Sequence, residues 1–133
     1  MKKIILLGLA ISLSGCVTPV TQMINNKFSD IVPTNPQATG IWTTSVGPGL
    51  STIKLNDDGN GILCEDTSGY INLNKLKYSN GQLYSQNGMV LKVISLNKDI
   101  LEAKTTLSAF NIDMVYKKDS ELKAASLKCA KEM

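Results

Sequence analysis

The chain has 133 residues (14.4 kDa), of which 43% are hydrophobic, 19% charged and 5% aromatic, a composition that suits one globular domain. All 14 basic residues are lysines; neither Arg nor His occurs. This excludes Ser-His-Asp and Cys-His nucleophile systems, which would lack their base, His-bearing zinc sites, and bidentate Arg recognition of phosphate, carboxylate or guanine.

Lys2 and Lys3 precede an apolar run, Ile4 to Leu13, broken by Gly8 and Ser12. The run is too short to span a hydrocarbon core, which takes about 20 apolar residues. A charged start, a short apolar stretch and small residues at its exit read as a secretory signal. The exit, Leu13-Ser14-Gly15-Cys16, resembles the bacterial lipobox at all four positions. The resemblance implies a lipoprotein whose signal, residues 1–15, is cut at the Gly15–Cys16 bond. Ser14 and Gly15 are small enough to admit the peptidase. The Cys16 thiol takes a diacylglyceryl group as a thioether, and the freed amine of Cys16 is acylated in turn. Each buried methylene contributes about 0.8 kcal/mol, so several chains hold the protein on a membrane stably. Val17 stands where an Asp would retain a lipoprotein in the inner membrane. The resemblance therefore implies anchoring in the outer membrane, on its periplasmic side, with the membrane as one expected partner.

Removing residues 1–15 takes Lys2 and Lys3 away, leaving 12 lysines against 11 acidic residues. The mature chain is nearly neutral and keeps no basic cluster interleaved with aromatics, so no nucleic-acid partner is expected. Residues 16–38 carry Pro19, Pro33 and Pro36 among Thr, Asn and Gln. They read as the lipidated N-terminus and a tether, with a short helical turn at Met23 to Phe28, reaching ~3.1 Å per residue where extended. Ile24, Phe28, Ile31 and Val32 are the residues of this stretch able to dock on the domain.

Residues 39–133 read as that domain. Ile41 to Val46 is β-rich and is broken by Gly47-Pro48-Gly49. Ser51 to Asn56 alternates, with Ile53 and Leu55 on one face. Asp57 to Gly61 is a tight turn before the returning strand Ile62 to Glu65, and Tyr70 to Tyr78 gives a further run. Asn80-Gly81 and Asn87-Gly88 predict two type I′ hairpins joining strands at 74–79, 82–86 and 89–97. Ile100 to Thr106 follows, and Phe110, Ile112, Met114 and Tyr116 form the inward side of a last strand. Asp119 or Ser120 then caps a helix over 120–133, with Leu122, Ala125 and Cys129 on one stripe. The fold class is mainly β: a small antiparallel up-and-down barrel or sandwich of seven or eight strands with a short C-terminal helix.

With Cys16 committed to lipid, Cys64 and Cys129 remain. An even pair in an exported chain predicts a disulfide that closes a loop of about 65 residues and contributes roughly 2–5 kcal/mol. The pair has no CxxC spacing, so the bridge is structural rather than redox-active.

Gly40-Ile41-Trp42, followed after one strand by Asp58-Gly59-Asn60-Gly61, resembles the opening of bacterial lipocalin-like (calycin-type) domains. In that family the Trp packs across the closed end of the barrel against a basic residue, often Arg. This chain has no Arg, so the partner is a Lys or is absent. The resemblance implies an open end able to hold a small apolar ligand. Trp42, Tyr78 and Tyr84 are the candidate ligand-binding residues, the two tyrosines flanking the first Asn-Gly turn. Asp57 to Gly61 does not meet the calcium-loop spacing, and Glu65 and Asp66 point to opposite faces of a strand, so neither a metal, a cofactor nor paired-carboxylate catalysis is expected. The expected function is a non-catalytic binding or accessory module of the cell envelope, acting on an envelope protein or a small apolar ligand. Two other layouts fit: a lysozyme-inhibitor type of lipoprotein, whose inhibitory loop motif is not found here, and a structural or pilot lipoprotein of an envelope secretion or assembly machine.

Overall fold

The computed structural model describes residues 27–106 and 112–133. The expected signal, Cys16, residues 23–26 of the turn expected at Met23 to Phe28, and Phe110 lie outside the described residues. Eight strands follow one another in antiparallel pairs: β1 (Gly40–Val46), β2 (Gly49–Leu55), β3 (Asn60–Thr67), β4 (Tyr70–Ser79), β5 (Gln82–Ser85), β6 (Val90–Leu96), β7 (Ile100–Thr105) and β8 (Asp113–Lys118). They close into a barrel. The seam between β1 and β8 is short, pairing Trp42 with Lys118 and Thr43 with Lys117, and the Asp119 amide extends it by donating to the Ile41 carbonyl at 2.8 Å. The ladders are uneven: β4 pairs with the short β5 only over Leu76 to Ser79, so residues 70–74 have β3 as their one strand neighbour among the described residues.

The period-two pattern places the core inside. Trp42 pairs with Ile53 and Ile53 with Leu63; Tyr78 pairs with Leu83 and Leu83 with Leu91; Leu101 pairs with Tyr116. All of these side chains are buried, and with Leu55, Leu76 and Ala103 they fill the barrel. Each large apolar member contributes about 1.5–3 kcal/mol relative to exposure.

Asn80-Gly81 is the expected type I′ turn, with φ of 48° and 84°. Asn87-Gly88 is not. Only Gly88 has positive φ (96°), and the Ser85 amide donates to the Met89 carbonyl at 2.8 Å. The loop therefore holds three residues, Gln86 to Gly88, and needs only its last in the left-handed region.

The C-terminal helix, α1, spans only Leu127–Ala130, with Ser126 as its cap, in place of the helix expected over 120–133. The reason is Asp119. Its carboxylate accepts hydrogen bonds from the amides of Lys123, Ala124 and Ala125 and from the Thr43 hydroxyl. These bonds hold the following residues as a loop, in which Leu122 adopts a φ of 58°. This strap packs on the outer side of β1–β3. It buries Thr43 and Thr52, places Cys129 against Cys64, and ends where Lys54 Nζ donates to the Met133 carbonyl at 2.8 Å. The Cys64–Cys129 disulfide is formed, with an S–S distance of 2.03 Å.

Residues 27–38, expected as tether, are docked instead. A 3-10 turn at Phe28–Asp30 accepts Lys77 Nζ at the Phe28 carbonyl. The Thr34 amide donates to the Tyr78 carbonyl at 2.8 Å, and Asn35 Nδ2 donates to the Asp57 carbonyl at 2.8 Å. Gly59 allows this approach, because a Cβ there would overlap the Thr34 carbonyl oxygen. Among the described residues no helix is long and apolar enough to cross a membrane.

Candidate ligand cavity at the barrel mouth

Inward positions on β2 and β3 run Ser51, Ile53, Leu55 and Gly61, Leu63, Glu65, so alternation that begins apolar ends polar towards one end of the barrel. At that end lies a cavity of about 160 Å³. Val46, Leu63, Met89, Ile112 and Met114 supply its apolar walls. Ser51, Glu65, Thr105 and Tyr116 supply its polar groups.

Tyr116 Oη and Ser51 Oγ share a hydrogen bond of 2.9 Å. Burial pushes the Tyr116 phenol up to about 12; the Ser51 bond pulls the other way, and the Glu65 charge adds to the rise. The phenol is therefore neutral at physiological pH. Burial also raises the Glu65 carboxyl above its ordinary value. The arrangement can hydrogen-bond a small polar head while apolar walls hold its tail. Its volume is well below the roughly 300–1,000 Å³ of a drug-sized site and near that of a 150 Å³ cavity that takes up benzene.

The three aromatic residues singled out from the sequence do not form this site. Trp42 is fully buried in the core. Lys118 is its register partner, but among the described residues the ring that carries a cation is Phe28, with Lys77 Nζ 4.4 Å from its centroid, so no ammonium caps the indole. Tyr78 is a core residue at 7% exposure. Tyr84 pairs with Lys77 while Tyr78 pairs with Leu83, which puts the two tyrosines on opposite faces of the sheet. Tyr84 Oη instead donates to Gln82 Oε1 at 2.6 Å. Counting by twos from Leu63 reaches Glu65, and from Tyr116 reaches Met114, so strand parity was the signal that could have found the cavity residues. Among the described residues no group of three or more acidic, Cys or His side chains could hold a metal ion.

Comparison with known proteins gives one family. The model described as "Bacterial lipocalin LPS transport optimiser YedD" matches residues 25–133, the whole of the barrel and both segments packed on it. No curated protein and no solved structure matches the chain.

Proposed function

The chain belongs to this bacterial lipocalin family, and from that premise we propose that it is a lipid-anchored accessory of lipopolysaccharide transport, seated on the periplasmic face of the outer membrane. It works by contact, without catalysis and without carrying a lipid inside its barrel. The observation that carries this reading is the filled interior: Trp42, Ile53, Leu63, Leu83 and Leu101 are at most 1% exposed, and the space left at the mouth is about 160 Å³. A many-chained lipid has no room there, because packed cores do not open without losing the contacts that hold them. The lipobox at Leu13 to Cys16 supplies the anchor. The partner is then an envelope protein of the transport route, met by the outer surface.

Mass spectrometry of the mature protein should find Cys16 as the first residue, carrying diacylglyceryl and acyl groups. Cross-linking in intact envelopes should join it to proteins of lipopolysaccharide transport. A chain that keeps residues 1–15, or one that purifies with lipopolysaccharide enclosed in the barrel, would overturn the proposal.

A further inference from the structure

A second and larger concavity lies on the outer wall, where Phe28 faces β3 and β4. Its volume is about 670 Å³, within the usual range of ligand sites. The outward side chains of Ile62 and Leu73 give it an apolar floor, and Leu73 is 43% exposed although it is a large aliphatic residue in mid-strand. Asn56, Asn60 and Gln86 bring amides to the lining. Lys75 and Lys77 bring two ammonium groups, and no lining residue is acidic. Among the described residues the ion pair found is Lys123–Glu121, so neither groove lysine is neutralised by a carboxylate. Lys77 donates one hydrogen to the Phe28 carbonyl at 2.9 Å and, with three donors on its ammonium, keeps others.

We propose that this groove binds a phosphorylated lipid, its phosphate on Lys75 and Lys77 and its apolar part along Ile62, Leu73 and Phe28. Charge complementarity selects the occupant. Two cations without a carboxylate partner, Lys77 also lying over the Phe28 ring, stand beside an exposed apolar strip and match a molecule that is anionic at one end and apolar at the other. The lysine stems add to the apolar surface while their heads stay in water. The proposal deepens the accessory reading by giving the protein direct contact with anionic lipid. It rests on that reading only in placing the groove beside a membrane.

The test uses the lipidated full chain in phosphatidylcholine nanodiscs containing a minor fraction of ³²P-labelled phosphatidate. A photo-crosslinking amino acid replaces Leu73 or, as a control on β8 with similar exposure, Val115. Labelling is expected at position 73 well above position 115. Lys75→Glu should reduce it roughly tenfold or more, the scale of a lost charge-assisted hydrogen bond, and Lys75→Arg should retain it. Lys75 is exposed, so these variants leave the core intact. Equal labelling at both positions, indifference to Lys75→Glu, or displacement by inorganic phosphate alone would overturn the proposal. So would an envelope protein that occupies the groove and excludes the lipid when envelope extract is added. No transport component is needed in the assay. Labelling that persists while lipopolysaccharide delivery proves independent of the protein supports the groove and ends the transport reading.

Discussion

Replacing Asp119 by Ala should loosen the C-terminal strap from the barrel wall. One carboxylate accepts the Thr43 hydroxyl at 2.8 Å and the amides of Lys123, Ala124 and Ala125 at 2.8, 3.1 and 2.9 Å. Lys123 and Ala124 are exposed, so their amides can return to water. Thr43 and Ala125 are buried, at 5% and 9% exposure; the Thr43 hydroxyl keeps the Thr52 hydroxyl at 2.9 Å, whereas the Ala125 amide loses its partner. Hydrogen bonds to a charged group contribute about 1.5–3 kcal/mol each, so the buried Ala125 bond alone sets an expected loss of about 1.5–3 kcal/mol, to which the Thr43 bond adds. That is a large share of the roughly 5–15 kcal/mol by which a domain is stable. Burial alone would raise the Asp119 carboxyl, but the bonds from Ala124, Thr43, Ala125 and Lys123 outweigh it and hold the group below its ordinary 3.8. The folded value lies below the unfolded one. The stabilisation is therefore complete above the unfolded value and lost as pH falls through the folded one. Urea unfolding followed by Trp42 fluorescence, with the disulfide intact, should show the wild type and Asp119→Ala well separated at neutral pH, with similar slopes, and converging in acid. A loss below about 1 kcal/mol at neutral pH, or a gap that ignores pH, would refute the reasoning.

Replacing both Cys64 and Cys129 by Ala releases a cross-link spanning 65 residues and should cost about 4 kcal/mol in chain entropy, read as a lower urea midpoint; an unchanged midpoint would contradict it. Glu65→Gln should be more stable than the wild type above neutral pH. Burial raises the folded carboxyl above its unfolded value of 4.5, so the cost of its charge is absent below that value and grows as pH rises through the folded one. Thermal melts should show the two proteins converging in acid, and a wild type more stable than Glu65→Gln in alkali would refute this. Gly59 and Gly81 both have positive φ, at 87° and 84°, but a Cβ meets the Thr34 carbonyl at the first and open space at the second. Gly81→Ala should cost about 1 kcal/mol and Gly59→Ala clearly more, because the second also lifts residues 33–35 from the barrel; equal losses would argue against that docking.

Local pattern made the barrel legible. Alternation in Ser51 to Asn56 and in Met114 to Tyr116, with turn residues between the runs, is a property of each strand alone. The Cys64–Cys129 bridge follows from an even count in a chain expected to be exported, and geometry then had to permit it. What failed depended on partners distant in sequence. Nothing near Asp119 announces that Thr43, which is 76 residues away, will help fix its carboxylate and so keep 120–126 from being helical. Residues 27–38 looked like tether because their partners, Tyr78, Lys77 and Asp57, lie on other elements. Tyr78 and Tyr84 look like a pair because they flank one turn, but across a two-residue loop an even sequence separation puts two side chains on opposite faces. The cavity residues were readable by parity, but only once a closed barrel made the inner face a single surface.

The rate at which pulse-labelled lipopolysaccharide reaches the outer leaflet tests the central claim most directly. It is measured in cells lacking the protein, complemented with the native chain or with Cys16→Ala. Delivery should slow in the null strain, recover with the native chain, and stay slow with Cys16→Ala made in equal amount. Delivery at the normal rate in the null strain would contradict the account.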